Sequence, residues 1–332
     1  MDLTTRYLGL ELRNPLIVGA SPLTKSVDSV RDCAKAGAGA VVLRSLFEEQ
    51  IRAENQGVDD ALNSETSWHT EAYEYMQAQI GLRYGTREYL QMLRDSKNAV
   101  DIPVIASVNC ISPEWWQDFA QEAEAAGADA LELNIAIMPM DLRRTDADVE
   151  AEYHAIIENT VRAVSIPVSI KLPPYFTALG TTILAQRQAG AAGFVLFNRL
   201  YRPTVCINDM SLTVREQDRY SRPGELSPAL RWLSLVCGRV DADFAANTGV
   251  HSGEDVIRAL LVGAQTVQCV TTFLQNGLAQ LNNMLTDLET WMGQHNMESL
   301  DDFRGRLSQV NNPDTALFGR TQYIEGLVGA TD

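Results

Sequence analysis

The sequence has little positive charge and no long hydrophobic run. Its 332 residues include 27 lysines and arginines against 43 aspartates and glutamates, which gives a formal net charge of −16. This balance argues against nucleic acids and anionic membranes as partners, but it leaves anionic small molecules possible. No run of about 18 apolar residues occurs, and residues 1–6 contain no basic segment that leads into an apolar one. We therefore predict a globular, cytoplasmic protein with no membrane and no nucleic-acid partner.

Cysteine and histidine are few and scattered. The five cysteines show none of the short spacings of zinc or redox motifs, and the four histidines are dispersed. We therefore predict no metal site. Four cysteines are expected to be reduced packing residues, whereas Cys110 follows a strand-like run and its thiol could face a cleft. No P-loop or Gly-x-Ser-x-Gly motif occurs, and Gly37 and Gly39 precede a strand, so they do not form a dinucleotide-binding fingerprint.

Short apolar segments alternate with segments of helical periodicity along the chain. Four of the helical segments end in a glycine, which suits the left-handed residue that closes a helix. Alternating strands and helices favour parallel pairing with right-handed crossovers. Eight such units in about 250 residues predict an α/β fold, a (β/α)8 TIM barrel. The predicted strands are 16–20, 40–43, 104–108, 130–133, 168–170, 193–197, 244–246 and 266–269.

The remaining segments are predicted to decorate a single domain that spans residues 1–332. Residues 1–14 are expected to form an N-terminal hairpin that acts as a lid or plug, and residues 278–332 a helical tail. Two long loops follow strands two and six, within 44–103 and 201–226. Because the C-terminal ends of barrel strands carry the active site, we expect both loops to cover its mouth, although the first could be a plain surface insertion.

Lys171 ends the fifth predicted strand, where two prolines stop it. A lysine that simply emerges into solvent is the alternative to a functional role. The other strand ends are polar too, and they should converge on one mouth. Side-chain amides together with a lysine and an arginine can hydrogen-bond a planar heterocycle rich in carbonyl and imide groups. The predicted ring comprises Ser21, Arg44, Ser45, Asn109, Cys110, Asn134, Lys171, Asn198, Asn247, Thr248, Thr271 and Thr272.

Small residues follow the last two predicted strands, in 247–253 and 269–273. Barrel enzymes bind phosphate groups at this place, and Gly249 and Gly253 would let the backbone approach a ligand closely. The alternative is that they are ordinary turn glycines beside a helix cap at Ser252.

Several segments resemble the dihydroorotate dehydrogenase family, and within it a bacterial branch usually called dihydroorotate dehydrogenase-like. They include Leu-Glu-Leu-Asn at 131–134, Ile-Lys-Leu-Pro-Pro-Tyr-Phe at 170–176 and Thr-Gly-Val-His-Ser-Gly-Glu-Asp at 248–255. Further matches are 14–21, 38–45, 197–198 and 299–305, so the resemblance covers almost the whole chain. It implies FMN at the barrel mouth, oxidation of dihydroorotate to orotate in pyrimidine biosynthesis by hydride transfer to flavin N5, and a homodimer.

The resemblance also implies roles for individual residues. Lys171 matches the lysine that contacts the N1 and O2 edge of the flavin, so it is predicted to be catalytic together with Asn134 and, on position alone, Cys110. The substrate is predicted to contact Asn109, Asn134 and Asn198. The predicted cofactor-binding residues are Ala20, Ser21, Arg44, Ser45, Asn134, Lys171, Phe197, Gly224, Asn247, Thr248, Gly249, Val270 and Thr271.

Several positions depart from the family pattern. Ile137 stands where the soluble members carry a cysteine or serine base, and Pro139 replaces a substrate-binding asparagine. Arg44 replaces a lysine, Val270 replaces a glycine, and no clear substrate asparagine occurs near Trp68. These changes fall mainly on the substrate half, so the sequence supports FMN binding more strongly than dihydroorotate turnover, and a related planar, carbonyl-rich substrate stays open. Cys110, Tyr175 or His251 could supply a base, and the sequence does not choose among them.

Two other functions are consistent with these residues. One is a flavin-binding homologue without catalysis, which the missing base favours. The other is a Schiff-base aldolase that uses Lys171 as its nucleophile, which is disfavoured because no acid lies at the predicted strand ends. Nothing in the sequence encodes an iron-sulfur site, so NAD-linked reoxidation of the flavin would require a separate subunit.

Overall fold

A computed structural model describes most of the chain: residues 1–48, 85–109, 116–135, 137, 141–199, 203–213, 219–312, 324 and 328. Its strands are β1 (Thr5–Tyr7), β2 (Leu10–Leu12), β3 (Leu16–Val18), β4 (Ala40–Val42), β5 (Leu46–Phe47), β6 (Val104–Asn109), β7 (Ala130–Asn134), β8 (Val168–Leu172), β9 (Gly193–Leu196), β10 (Thr204–Cys206), β11 (Ser211–Thr213), β12 (Asp243–Asn247) and β13 (Thr266–Cys269). The described helices are α1 (Val27–Lys35), α2 (Thr86–Ala99), α3 (Trp116–Ala125), α4 (Asp146–Ala163), α5 (Leu179–Gln188), α6 (Ser227–Val236), α7 (Gly253–Leu261), α8 (Thr271–Asn276) and α9 (Ala279–Gln294).

Eight parallel strands close into a barrel, which confirms the predicted TIM barrel. The ring runs β3, β4, β6, β7, β8, β9, β12 and β13, and β13 pairs with β3 to complete it. Each of the eight predicted strands overlaps one of these. The glycines predicted to close four helices, Gly37, Gly127, Gly190 and Gly263, all have positive φ. Local sequence signals therefore define the whole ring.

Alternate residues of the strands pack on opposite faces. Ile17 and Val42 face the barrel interior, whereas Leu16, Val18 and Val41 pack in the larger core between strands and helices. Every residue of β6, β7 and β8 is buried. Strands of a parallel barrel are covered on both faces, so a polar residue within one of them lies in the interior and needs a partner there.

The N-terminal hairpin plugs the end of the barrel opposite the C-terminal mouth. Its strands β1 and β2 pair antiparallel, and Tyr7, Leu8 and Leu12 belong to the apolar cluster inside the barrel. The Leu8 N–H donates to Asp243 at the start of β12, at 2.6 Å. Thr5 Oγ1 donates to the carbonyl of Gln265 at 3.0 Å. The hairpin is therefore a plug of the barrel floor and not a lid over its mouth.

Asp243 gives this plug a pH dependence. Burial raises the pKa of the Asp243 carboxyl above its usual 3.8, although the Leu8 N–H and the charges of Arg6 and Arg304 oppose that shift. A raised pKa means that the folded state binds the proton more tightly than the unfolded state. The stability of the folded state therefore falls as the pH rises from about 3.8 through the raised pKa.

We expect Asp243→Asn to remove this dependence, because an amide oxygen can still accept the Leu8 N–H but does not ionise. Melting temperatures of both proteins should be compared at pH 4 and pH 7. The melting temperature of the variant, relative to that of the wild type, should be higher at pH 7 than at pH 4. If the difference in melting temperature between the two proteins is the same at both pH values, or is smaller at pH 7, then Asp243 ionises at least as easily in the folded protein as in the unfolded chain.

The long loops and the tail are described in part. The loop after the second barrel strand contains β5 and α2, and residues 49–84 lie outside the described residues. The loop after the sixth contains the hairpin of β10 and β11. In the described part of the tail, helix occurs at α9, at a 3-10 turn over Leu300–Asp302 and at residues 324 and 328, and the other residues from 313 to 332 lie outside the described ranges. None of the described helices is both long and apolar enough to cross a membrane.

Candidate active site

A cavity opens at the C-terminal ends of the barrel strands. It encloses about 820 Å³ when its open mouth is included, and it receives residues from the ends of β3, β7, β8, β9, β12 and β13. Ten of the predicted site residues line it. They are Ala20, Ser21, Asn134, Lys171, Asn198, Asn247, Thr248, Gly249, Val270 and Thr271.

Several predicted residues lie elsewhere. Arg44 and Ser45 are not among the described residues that line the cavity, and the fully buried Ser45 hydroxyl hydrogen-bonds the Ser107 hydroxyl at 2.8 Å. Gly224 is exposed and does not line the cavity either. The loop instead approaches the site at the next two residues, Glu225 and Leu226, whose backbone packs against Gly249. Cys110 lies outside the described residues.

Phe197 is not part of the cavity lining, but its backbone carbonyl binds two residues that are. The side chain is buried, and the carbonyl accepts hydrogen bonds from Asn247 Nδ2 at 2.7 Å and from Thr248 Oγ1 at 2.8 Å. The Asn198 Nδ2 group donates to Asn134 Oδ1 at 2.7 Å. These bonds tie the ends of β7, β9 and β12 together. Three of the predicted amides, Asn134, Asn198 and Asn247, are therefore held in place by hydrogen bonds around the ends of these strands.

Asn109 ends β6 with its side-chain amide fully buried. Neither its Nδ2 nor its Oδ1 has a hydrogen-bond partner within the described part of the chain. Leaving a buried amide unsatisfied costs about 1–3 kcal/mol per group, so an unpaired amide at a strand end is a group that a polar ligand could satisfy. The described residues alone do not place Asn109 in the cavity lining.

Lys171 is 5% exposed on the cavity floor, and an acid that the sequence analysis missed lies beside it. Glu132, in the middle of β7, is 0% exposed, and its Oε1 lies 3.6 Å from Lys171 Nζ. Gln268 Nε2 of β13 donates to the other carboxylate oxygen at 2.5 Å. The expectation that Lys171 has no neighbouring acid was wrong, because only strand ends were considered. The detectable signal was a glutamate inside an apolar strand, Ala-Leu-Glu-Leu-Asn.

The barrel floor below Glu132 is kept neutral. Burial, the charge of Glu132 and that of Asp243 raise the pKa of the Tyr7 hydroxyl well above 10, although a hydrogen-bonding neighbour opposes the shift. Tyr7 therefore stays protonated, and the ammonium of Lys171 is the positive charge that faces the carboxylate on the cavity side.

The end of the cavity near β12 and β13 offers backbone donors. Thr248 and Gly249 both have positive φ, 71° and 79°. In the described part of the chain, the N–H groups of Gly249 and Thr271 donate to no protein acceptor. Around them, Ser221 N–H donates to Thr271 Oγ1 at 3.1 Å, and the Ser221 hydroxyl contacts His251 Nε2 at 3.2 Å. Backbone donors without protein partners suit an anionic group.

Two arginines that the sequence analysis also missed make the rim positive. Arg199 and Arg219 line the cavity, and Arg199 Nε pairs with Glu225 at 3.0 Å. Both lie in or near the loop after the sixth barrel strand, whose path the local sequence does not reveal. With Lys171 they create a basic cavity in a chain of net charge −16. An anionic ligand is therefore favoured inside, although the surface as a whole repels it.

The described lining offers little that could accept a proton. It contains no carboxylate and no imidazole, and burial raises the pKa of its one thiol, Cys269. Ile137 lies at the position of the missing base, and its N–H donates to the Tyr153 hydroxyl at 3.4 Å. Tyr175 is 60% exposed, and His251 lies behind Ser221 at the backbone-donor end. Of the three candidate bases, only Cys110 is not placed by the described structure.

The described histidine, cysteine and acidic side chains are dispersed. Within the described ranges, no group of three or more histidine, cysteine, aspartate or glutamate side chains could hold a metal ion. Cys33, Cys237 and Cys269 are buried, and burial with the charge of Asp32 raises the pKa of Cys33 to about 12. These thiols are packing residues.

Several known proteins are similar in sequence to this chain over most of its length. A sequence model of the family described as dihydroorotate dehydrogenase matches residues 2–292. The chain is 28% identical to the catalytic subunit of dihydroorotate dehydrogenase B (NAD(+)) of Methanothermobacter thermautotrophicus, over 91% of this chain and 97% of that protein. It is 23% identical to the chloroplastic dihydropyrimidine dehydrogenase (NADP(+)) of Arabidopsis thaliana, over 96% and 80%. It is 25% identical to the NAD-dependent dihydropyrimidine dehydrogenase subunit PreA of Escherichia coli K12, over 92% and 76%.

Proposed function

Because this chain belongs to the dihydroorotate dehydrogenase family, we propose that it is an FMN-dependent oxidoreductase acting on a CH–CH bond. Its substrate would be dihydroorotate or a related planar, carbonyl-rich molecule. The observation that carries the proposal is the position of Lys171 on the floor of a cavity with amides on one side and backbone donors on the other. A flavin mononucleotide combines a heterocycle, which needs amides and a cation, with a phosphate, which needs N–H donors.

The residues of the cavity fit FMN. The cavity is open at its mouth and combines side-chain amides, a lysine and backbone donors, the groups that a flavin and its phosphate require. Gln268 Oε1 is buried and has no hydrogen-bond partner among the described residues. The N–H groups of Gly249 and Thr271 likewise have no acceptor there. Lys171 and Gln268 would hold the polar edge of the ring, and Gly249 and Thr271 the phosphate. FMN would supply the acceptor for the hydride.

The protein side chains would bind, orient and balance charge. Lys171 would stabilise the negative charge that collects on the N1 and O2 edge when the flavin is reduced. The linked amides of Asn134 and Asn198 would fix the substrate over the ring, since a hydrogen-bonded pair holds a defined orientation. Arg199 and Arg219 would attract an anionic substrate to the mouth.

The identity of the substrate depends on the missing base. Removing a proton from dihydroorotate calls for a positioned base, which contributes about 10²- to 10⁴-fold in rate. Ile137 cannot accept a proton, and the described lining provides no carboxylate or imidazole. Cys110 stays our prediction for this group. The relatives named above are dihydroorotate and dihydropyrimidine dehydrogenases, so both kinds of molecule are candidate substrates.

Flavin content and anaerobic bleaching test this function. The purified protein is expected to be yellow or to become so after incubation with FMN. Dihydroorotate or dihydrouracil, added without oxygen, should bleach the flavin bands, and Cys110→Ala should slow the bleaching about 10²-fold or more. A protein that takes up no FMN would contradict the cofactor. A yellow protein that neither compound bleaches would contradict the substrate class only.

Ile137 supports a second candidate, a flavin-binding homologue that does not turn over substrate. Bound flavin that chemical reductants reduce, but that no dihydropyrimidine does, would favour it. A Schiff-base aldolase is favoured by one observation, the acid Glu132 beside Lys171. Borohydride trapping of a carbonyl compound on Lys171 would reveal it.

We also propose a cytoplasmic homodimer by analogy with soluble family members, and sedimentation of the pure protein would test the dimer.

A further inference from the structure

Glu132 is a fully buried carboxylate that the proposed chemistry does not use. It occupies the middle of β7, one pleat below Asn134, so both side chains lie on the interior face of the strand. Its Oε2 accepts the hydrogen bond from Gln268, which comes from the opposite side of the barrel. Its Oε1 has no hydrogen-bond partner among the described residues, and Lys171 Nζ is the cation that it faces.

The 3.6 Å separation of Lys171 Nζ and Glu132 Oε1 decides what this pair can do. It is short enough for a strong ionic attraction in a buried site, yet longer than a hydrogen bond. The ammonium hydrogens are therefore not committed to the carboxylate. Gln268 holds the carboxylate in place, so Glu132 attracts Lys171 electrostatically without accepting a hydrogen bond from it.

Burying the Glu132 carboxylate without a nearby positive charge would destabilise the folded state. An ionised carboxylate loses its hydration on burial, and a single hydrogen bond replaces little of it. Lys171 would be equally unfavourable without a countercharge. Together the two side chains balance each other's charge at the cavity floor, and the positive charge of the rim comes from Arg199 and Arg219.

We propose that Glu132 is a positioning residue that holds the Lys171 ammonium at the cavity floor and so limits how strongly this lysine favours the reduced flavin. The inference rests on the proposed FMN function. In this arrangement Lys171 favours the reduced, anionic flavin, and Glu132 limits that preference. The midpoint potential of the flavin is then lower than Lys171 alone would set.

The variant Glu132→Gln removes the charge and keeps an oxygen that can accept the Gln268 N–H. A charge at 4–6 Å typically changes such an equilibrium by about 10- to 1000-fold. A flavin held by Lys171 would be farther from Glu132 than the ammonium is, so we expect the ratio of reduced to oxidised flavin, at a fixed applied potential, to rise about 10- to 100-fold. For a two-electron couple this corresponds to an increase of about 30 to 60 mV in midpoint potential.

The experiment compares the midpoint potentials of five proteins, measured by equilibration with a redox dye. They are the wild type, Glu132→Gln, Lys171→Met, the double variant and Glu158→Gln. Glu158 pairs with Arg162 on the outside of α4, at 2.7 Å, so its variant makes the same change in net charge away from the site. Glu158→Gln should stay within threefold of the wild type. In the Lys171→Met background, the effect of Glu132→Gln should fall below threefold, because Glu132 acts through the lysine.

The outcomes separate this inference from the function on which it rests. A wild type that binds no FMN contradicts the proposed function. If FMN binds but Glu132→Gln leaves the potential unchanged or lowers it, the inference is overturned and the function stands. A shift that persists in the Lys171→Met background also overturns it, because Glu132 would then act on the flavin directly.

Thermal unfolding provides a second readout that needs no flavin. Glu132→Gln leaves Lys171 buried without a countercharge, so this variant should melt below the wild type. The double variant, in which both charges are gone, should recover most of the loss. If Glu132→Gln does not fold but the double variant does, the charge balance is supported. If neither folds, Glu132 is a packing residue and the inference fails.

Discussion

Replacing Lys171 with methionine is expected to slow the reduction of the bound flavin by substrate about 100- to 1000-fold. Removing one preorganised donor to a developing negative charge typically costs that much. In a cavity floor where Lys171 is 5% exposed, no water can easily take the place of the ammonium. Methionine keeps the length and apolar character of the side chain, so the loss should report the charge.

The rate must be separated from folding and from flavin content. Lys171→Met leaves Glu132 buried without its cation, which costs about 3–5 kcal/mol in the free energy of unfolding. Bleaching rates should therefore be compared for folded protein that carries a full complement of FMN. Lys97→Met is the control, because Lys97 of α2 pairs with Asp129 at 2.6 Å outside the cavity. If Lys171→Met reduces its flavin within tenfold of the control rate, Lys171 is not the stabilising charge.

Replacing Gly249 with alanine is expected to weaken FMN binding about 10- to 100-fold. A Cβ at this position would lie 2.3 Å from the backbone nitrogen of Leu226 and 2.7 Å from the carbonyl carbon of Glu225. Those atoms belong to the backbone and cannot rotate away, so the turn or the loop must shift. Overpacking of this kind costs about 1–3 kcal/mol, and each 1.4 kcal/mol is tenfold in affinity.

Gly277→Ala separates the clash from the cost of a left-handed backbone. Gly277 has the same φ of 79°, but a Cβ there would meet nothing within 4 Å. Isothermal titration of FMN into flavin-free protein should give near wild-type affinity for Gly277→Ala and a clear loss for Gly249→Ala. Equal affinities in the two variants would show that the contact between Gly249 and the loop does not shape the site.

The barrel and most of the cavity lining are predictable because their signals are local. Strand periodicity and the glycines that close helices each occupy a few neighbouring residues, and a closed barrel then brings all strand ends together. This reasoning places Asn134, Lys171 and Asn247 in one cavity with no knowledge of their contacts. It also places Gly249 in the cavity lining.

The partners of these residues are not predictable in the same way. Gln268 reaches Glu132 across the barrel from a position 136 residues away, and no local pattern encodes that distance. The path of the loop after β9 depends on packing against Gly249, so the predicted contact at Gly224 is displaced to the next two residues. Arg199 and Arg219 enter the site for the same reason. Long-range packing therefore decides the charge of the cavity, while local sequence decides its position.

The plug of the barrel floor joins segments that lie far apart in the sequence. Arg304 donates to Thr5 Oγ1 at 2.8 Å across 299 residues of sequence, and the Asp2 N–H donates to the Glu298 carbonyl at 2.8 Å. Contacts between residues so far apart in sequence form late, because the loop between them must close first. During translation, the hairpin therefore cannot be fully seated until Asp243, Gln265 and Arg304 have all been synthesised. A nascent chain stalled before Asp243 would keep the apolar residues of the hairpin exposed to chaperones.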